Sequence, residues 1–242
     1  MFGDWYTDKG LGVFSRLFDP ARKFKKTPEG KLVSILNDFS IDIVLDVGAN
    51  VGQTGQRLRR VGYSGAIVSF EPGPQAHGTL SEAAANDAKW TVAPRTAIGD
   101  TDGEIVLNVS QETSMSSALD ANPALLEALP RTANQEKVTT PVYRLDNLWD
   151  QYVTPDNRAF LKVDTQGFER QVLNGASEAL KKLQGVQLEL SLFELYQGEE
   201  TYLGFLQDLH RWGFEPYMMW ETYFSRKLKR QLQIDVVFMR PR

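Results

Sequence analysis

The sequence predicts an α/β fold, doubly wound about a mostly parallel sheet with an antiparallel hairpin at one edge. Three observations carry that prediction. Short apolar runs rich in β-branched residues alternate with segments of helical spacing, a glycine-bracketed turn (Gly48–Gly52) follows the first run, and the last two runs are separated by a short turn. Strand and helix in strict alternation imply parallel pairing through right-handed crossovers, whereas a hairpin pairs antiparallel.

Residues 1–30 read as an N-terminal cover segment, with a helix over Val13–Phe24 by apolar spacing. Arg16, Arg22, Lys23, Lys25 and Lys26 make it mildly basic, which reads as a solvated face on a packing helix before a membrane-surface role. Residues 31–242 read as one domain, long enough to bury a single large core. A helix over Gly30–Asp38 leads into Ile41–Val47, which has the composition of a buried parallel strand. The turn at Gly48–Gly52 opens a helix that reaches Arg60, its exposed side marked by Arg57, Arg59 and Arg60. Ser64–Phe70 is a second strand, Pro74–Asn86 a helix, Trp90–Ala93 a third strand and Glu104–Val109 a further one. Residues 108–140 interrupt the alternation. They hold Ser114, Ser116, Ser117, two prolines and a short helix around Ala124–Leu129, and read as an inserted lid or acceptor-binding segment. Alternation resumes with strand Ala159–Val163, helix Phe168–Leu183, strand Val186–Leu192 and helix Glu199–Trp212. Pro216–Trp220 and Ile234–Met239 close the chain as a hairpin across Ser225–Lys229.

Composition narrows the function. A 42% hydrophobic, 24% charged chain is ordinary for a globular protein and argues against disorder. The net charge of −4 speaks against a nucleic-acid partner and fits a small-molecule or carbohydrate acceptor better. The lack of cysteine excludes disulfides, thiolate nucleophiles and Cys-ligated zinc, and two histidines, His77 and His210, exclude a multi-histidine metal site. Met1–Gly10 lacks the apolar stretch of a secretory signal, and no run approaches the ~20 apolar residues of a membrane span, so the expected compartment is the cytoplasm. A homo-oligomer is compatible with the sequence.

The sharpest local signal is Ile43-Val-Leu-Asp-Val-Gly-Ala-Asn-Val-Gly-Gln53. A strand ends at Asp46, and Gly48 and Gly52 let the backbone turn tightly against a ligand before a helix begins. A dinucleotide calls for G-x-G-x-x-G, with its pyrophosphate on the N–H groups of the helix start. Here Asn50 takes the place of the second glycine, and Asp46 would repel an anion while attracting the cationic sulfonium and amino group of S-adenosylmethionine. The second strand ends in Glu71-Pro72. Glu71 lies 19 residues beyond Gly52, the spacing at which an acid accepts hydrogen bonds from ribose hydroxyls. Either nucleoside cofactor would use that acid, so Glu71 alone does not choose between them.

A second constellation is Phe160-Leu-Lys-Val-Asp-Thr-Gln-Gly-Phe-Glu169. It sets Asp164 at the carboxyl end of a later strand, the edge at which open α/β sheets bind ligands. Lys162 and Asp164 share a strand face, as do Gln187, Glu189 and Ser191 on the next strand. A lysine in a central strand needs a partner, and Asp164, Glu169 or Glu189 can supply it. Asp164 is placed to accept a hydroxyl proton, or, with Glu189, to hold a divalent cation. No metal is predicted. Ser116, Ser117, Gln166 and Glu189 are the candidate acceptor contacts; the aromatic-rich Tyr217–Tyr223 either helps shape that pocket or belongs to the core. His77, after Pro74, and His210, near a helix end, read as surface or cover residues.

These segments together resemble the FkbM family of methyltransferases. The matching stretches are Leu45–Gln53, Val68–Pro72, Ala97–Asp100, Ser116-Ser117, Arg144–Asp146, Leu161–Glu169, Val172–Ala176 and Gln233–Phe238. Their order and spacing extend from about Leu32 to Arg240 and are far more specific than any single loop. The resemblance implies a seven-stranded, Rossmann-like class I methyltransferase that uses S-adenosylmethionine, with O-methyl transfer to a hydroxyl of a sugar, glycan or natural product. By position it places Asp46, Gly48, Asn50 and Gly52 at the methionine part, Glu71 at the ribose and Ala97 and Ile98 at the adenine, with Asp164 facing methyl and acceptor. The rival readings are a cofactor-binding but inactive scaffold and an NAD-dependent oxidoreductase.

Overall fold

The computed structural model describes residues 26–110, 113–133 and 135–242. The expected helix at Val13–Phe24, with most of the 1–30 cover, lies outside the described residues. In chain order the elements are α1 (Pro28–Asp38), β1 (Ile43–Val47), α2 (Gln53–Arg60), β2 (Ala66–Phe70), α3 (Pro74–Ala84), β3 (Trp90–Val92), β4 (Ala97–Ile98) and β5 (Gly103–Ser110). They continue with α4 (Pro123–Ala128), β6 (Gln135–Tyr143), α5 (Leu145–Tyr152), β7 (Ala159–Val163), α6 (Glu169–Asn174) and α7 (Ala179–Lys182). Strand β8 (Gly185–Ser191), α8 (Tyr202–Arg211), β9 (Glu215–Ser225) and β10 (Arg230–Met239) complete the chain.

Seven strands form the main sheet in the order β3-β2-β1-β7-β8-β10-β9. Only β10 opposes the others, pairing antiparallel with both β8 and β9. The sheet is therefore mostly parallel with a hairpin at one edge, as the sequence predicts. Both faces are covered, which is why β1 and β7 are buried along their whole length. On one face Leu45, Val47, Leu161 and Leu188 pack with Trp149, Val172, Phe205 and Leu209. On the other, Val44, Ile67, Phe160 and Val237 pack with Leu36, Leu58 and Leu80. Among the described residues no helix is long and apolar enough to cross a membrane.

Local chemistry sets the element ends. Thr27 caps α1, its Oγ1 accepting from Gly30 N at 3.1 Å, and Pro28 occupies the first turn, where no N–H is needed. The long helix expected over Phe168–Leu183 is two short ones. Between them Gly175 packs so closely that a Cβ would lie 1.8 Å from Gly99 O. Asp146 holds this break, accepting from the backbone N–H of Glu178 and Ala179 and from Ser177 Oγ. A period-based reading sees continuous apolar spacing through 168–183 and misses a turn imposed by tertiary contact.

The strand expected at Glu104–Val109 forms, but in a second sheet ordered β4-β6-β5. Strand β6 is antiparallel to β5, from Gly103↔Val142 to Ser110↔Gln135, so both ends of the 108–140 segment are strand. Pro141 and the charged Glu136 and Lys137 hide β6 in the sequence. Pro141 falls outside the β4 ladder, which takes Val142 and Tyr143, and its carbonyl accepts from Thr96 Oγ1 at 3.1 Å. What connects β5 to β6 carries α4; it bridges to β5 through Asn108↔Ser117 and to the segment after β8 through Ala121↔Tyr196.

Candidate active site

A cavity of about 290 Å³ opens at the carboxyl edge of the main sheet, roofed by the second sheet and by Thr113–Ser116. Its wall is built from the loop after β1. Gly48, Asn50 and Gly52 all have positive φ, at +78°, +49° and +83°. At Gly48 the need for glycine is steric as well as conformational: a Cβ would stand 1.9 Å from Asp164 O. The loop is tied to β2 by Gly48 N and Ala49 N, which both donate to Phe70 O at 3.1 Å. Gly52 is the N-cap of α2 and packs on Leu80 and Trp90.

Glu71 stands at the end of β2, 6% exposed. Its Oε2 accepts from Asn50 N and its Oε1 from Gly73 N, each at 2.7 Å. Burial pushes its carboxyl up to about 7, against the pull of those two backbone donors. Each oxygen retains one lone pair for an incoming donor. Asn50 Oδ1 is buried at the cavity wall with no hydrogen-bond partner. A buried unpaired acceptor calls for a donor, and an ammonium group of a bound ligand is one. Ala97 and Ile98 line the same cavity and supply an apolar wall for a ring.

A charged row lies beneath the loop. Ser69, Asp46, Lys162 and Gln187 lie in register across four adjacent strands. Lys162 Nζ pairs with Asp46 Oδ1 at 3.5 Å and with Asp164 Oδ2 at 3.3 Å. Burial alone would pull the Lys162 ammonium down; the Asp164 and Asp46 carboxylates reverse this and hold it above its usual value. Burial pushes the Asp46 carboxyl up while Lys162 pulls it back. Of the partners expected for Lys162, Asp164 is present. Glu169 instead accepts from Thr165 N and Oγ1 at 2.7 and 3.1 Å, and burial raises its carboxyl to about 7.

Gln166 joins two carboxylates. In a left-handed conformation (φ +54°), it donates from Nε2 to Asp164 Oδ1 at 2.9 Å and to Glu189 Oε2 at 2.6 Å. Tyr196 Oη donates to Gln166 Oε1 at 3.0 Å, and Gln233 Nε2 adds a donor to Glu189 Oε2 at 3.1 Å. Burial, with Asp164 and Asp235 nearby, raises the Glu189 carboxyl well above its usual value. Among the described residues no group of three or more acidic or histidine side chains is placed to hold a metal.

Gly48, Asn50, Glu71, Pro72, Ala97, Ile98, Ser116, Asp164, Gln166 and Glu189 thus line one cavity. Asp46, Gly52 and Ser117 do not. Asp46 lies fully buried beneath the loop, and Ser117 Oγ is turned to Gln166 O at 2.6 Å. His77 binds Ala93 O through Nε2 at 2.8 Å away from the cavity, and His210 is exposed. Sequence reasoning does not single out Gln53, Thr96 or Phe168, which also line the cavity. Phe168 follows directly on the Asp164–Gly167 turn, and that adjacency is the one signal that points to it.

A glycine turn, a strand-end acid behind it and an apolar wall are the parts of a nucleoside-cofactor site. The family model for the Methyltransferase FkbM domain matches residues 46–216. The chain belongs to that family of S-adenosylmethionine-dependent methyltransferases. It is 23% identical over 163 residues to 2-O-methyltransferase NoeI of Sinorhizobium fredii, covering 65% of this chain and 66% of that protein. A crystal structure of an rRNA methylase from Streptococcus thermophilus covers 90% of this chain and 98% of its own, at 13% identity and a TM-score of 0.47. Magnesium protoporphyrin IX methyltransferase of Synechocystis, solved with bound S-adenosylmethionine, is 10% identical with a TM-score of 0.46, over 99% of this chain and 87% of that one.

Proposed function

We propose that this methyltransferase moves the methyl group of S-adenosylmethionine to a hydroxyl of a sugar, glycan or natural-product acceptor. One observation carries the reading: Asp164, fixed by Lys162 and Gln166, shares a cavity with the Glu71–Asn50 cofactor cradle. The 2-O-methyltransferase named among its relatives supports oxygen as the receiving atom.

Bound S-adenosylmethionine supplies a methyl on a positively charged sulfur, which leaves as a neutral thioether and needs no acid. Glu71 takes the ribose hydroxyls, Asn50 Oδ1 the amino group, and Ala97 and Ile98 the adenine. Asp164, with its side chain 29% exposed, is the group that receives the acceptor's proton. Its two oxygens are each held from one side, by Gln166 and Lys162, which fixes its direction and leaves lone pairs for a hydroxyl. Alignment of this kind contributes up to ~7–11 kcal/mol, and proton removal adds ~10²–10⁴-fold. Between β5 and β6, Thr113–Ser116 cover the cofactor cavity, with Ser114, Met115 and Ser116 on its wall.

The test is transfer of labelled methyl from S-adenosylmethionine to hydroxyl acceptors, with the linkage identified by mass analysis. Label in an O-methyl ether is expected. Binding of S-adenosylhomocysteine without transfer to any hydroxyl would establish the inactive-scaffold reading instead.

A further inference from the structure

A second cavity, of about 380 Å³, lies against the charged row of the sheet on the side of α1 and α2. It shares Gln53, Asp164, Glu189 and Thr222 with the cofactor cavity. The carboxylate pair that Gln166 ties together, Asp164 and Glu189, thus borders both spaces. Nothing in the cofactor cradle uses the second space, since Glu71, Asn50, Ala97 and Ile98 all face the first.

Its lining has the chemistry of a hydroxyl-binding surface. Gln187 is 4% exposed, lines the cavity, and has an Oε1 without a hydrogen-bond partner, although its Nε2 donates to Asp235 Oδ1 at 3.1 Å. A buried acceptor with nothing to accept is costly unless a ligand supplies the donor. Half-buried Trp220 adds an aromatic wall from β9. Charge decides against anions. Among the described residues, Glu29, Asp164, Glu189, Glu221 and Asp235 contribute five carboxyl groups, against Arg57 and Lys162. Lys162 is held by Asp46 and Asp164, and the exposed Arg57 lies 3.9 Å from Glu29. A phosphate or carboxylate entering here would face unpaired acceptors and like charge. A neutral polyhydroxyl group would instead donate to them and lay its C–H face on the tryptophan.

We infer that the acceptor is a neutral, hydroxyl-rich molecule that binds in this second cavity and presents one hydroxyl across Asp164 to the cofactor cavity. The inference rests on the proposed O-methyl transfer and adds where the acceptor binds and what charge it carries. Trp220 and Gln187 hold the acceptor, and Asp164 lies at the junction where it meets the methyl.

The experiment uses Thr54→Trp, which fills the second cavity from α2 at a position that does not line the first. Trp220→Ala, which removes the wall without filling the space, is the second variant. Both are compared with wild type in calorimetric binding of S-adenosylhomocysteine and in transfer of labelled methyl. The transfer probes are methyl hexopyranosides in neutral and phosphorylated forms, and the neutral and anionic glycan fractions of a cell extract. The expected result is S-adenosylhomocysteine affinity within twofold of wild type in both variants. Transfer to neutral acceptors falls at least tenfold in Thr54→Trp, and KM for them rises at least fivefold in Trp220→Ala. Undiminished transfer in Thr54→Trp, or wild-type preference for the phosphorylated or anionic probes, overturns the inference while leaving O-methyl transfer in place. Wild-type protein that binds S-adenosylhomocysteine but methylates no hydroxyl overturns the proposed function, and the inference with it.

Discussion

Replacing Glu71 by Gln removes one charge and one acceptor while keeping side-chain size. In the native site each carboxylate oxygen faces a backbone N–H at 2.7 Å, from Asn50 and from Gly73. Whichever way the Gln amide is turned, its NH₂ group meets one of those donors, so the cradle loses a hydrogen bond and the loop shifts. The remaining lone pairs are the ones assigned to two ribose hydroxyls. Hydrogen bonds to a charged group contribute roughly 1.5–3 kcal/mol each, so losing charge assistance at both costs about 3 kcal/mol. That corresponds to S-adenosylhomocysteine binding weaker by about 100-fold. The pH dependence gives a second handle. With the Glu71 carboxyl at about 7 in the free protein, the form that accepts from hydroxyls predominates at pH 8 and is depleted at pH 6. Wild-type affinity therefore falls as pH drops below 7, approaching about tenfold per pH unit, while Glu71→Gln lacks this component. Isothermal calorimetry at pH 8 and pH 6 measures both effects. Equal affinity of the two proteins at pH 8 would remove Glu71 from the ribose role.

Four further outcomes are expected. Gly48→Ala should destabilise the protein by more than about 3 kcal/mol, because the αL penalty of ~1–2 kcal/mol is joined by a 1.9 Å contact with Asp164 O. Gly52→Ala, at similar φ but 3.0 Å from side chains that can move, should cost clearly less in urea unfolding, and equal losses would refute the close-approach argument. Lys162→Met leaves the fully buried Asp46 without its cation and should cost ~3–5 kcal/mol at pH 8. The loss should shrink towards pH 5 as the carboxyl takes a proton, and a pH-independent loss would count against the pair. Asp164→Asn should lower kcat by ~10²–10⁴-fold with S-adenosylhomocysteine affinity within a few-fold, as read by steady-state kinetics and calorimetry. Finally, Glu71 and Glu169 at about 7 and Asp235 at about 6 are all raised by burial, so the folded chain holds these protons more tightly than the unfolded one. Their stabilisation is complete below the unfolded values near 4 and is lost as pH rises through 6–7, so Tm should be higher at pH 5.5 than at pH 8. Calorimetry showing the opposite trend contradicts the assignment.

The parallel strands were legible because burial on both faces writes a continuous apolar run, as in Ile43–Val47 and Ala159–Val163. The cofactor loop was legible because backbone φ and close approach demand glycine at Gly48 and Gly52, whatever surrounds them. What the sequence hid has a common cause in tertiary contact. Strand β6 carries Glu136, Lys137 and Pro141, which its exposed position in a small sheet allows and a core strand would not. The break between α6 and α7 depends on Gly99 and Asp146, dozens of residues away. The place of Asp46 before the turn suggests a cofactor contact, but alternation along β1 points its side chain at Lys162 and Ser69 beneath the loop. The link from Asp164 through Gln166 to Glu189 needs a left-handed Gln166, and a non-glycine residue in that conformation leaves no mark in the sequence.

The central claim is methyl transfer to oxygen with Asp164 as the proton acceptor, and single-turnover transfer of labelled methyl tests it most directly. Wild type and Asp164→Asn are each loaded with labelled S-adenosylmethionine and mixed with a neutral hydroxylated acceptor. The account predicts an O-methyl ether from wild type and at least a hundredfold slower formation by Asp164→Asn, at comparable cofactor occupancy. Transfer to nitrogen or carbon, or an Asp164→Asn protein as fast as wild type, would contradict it.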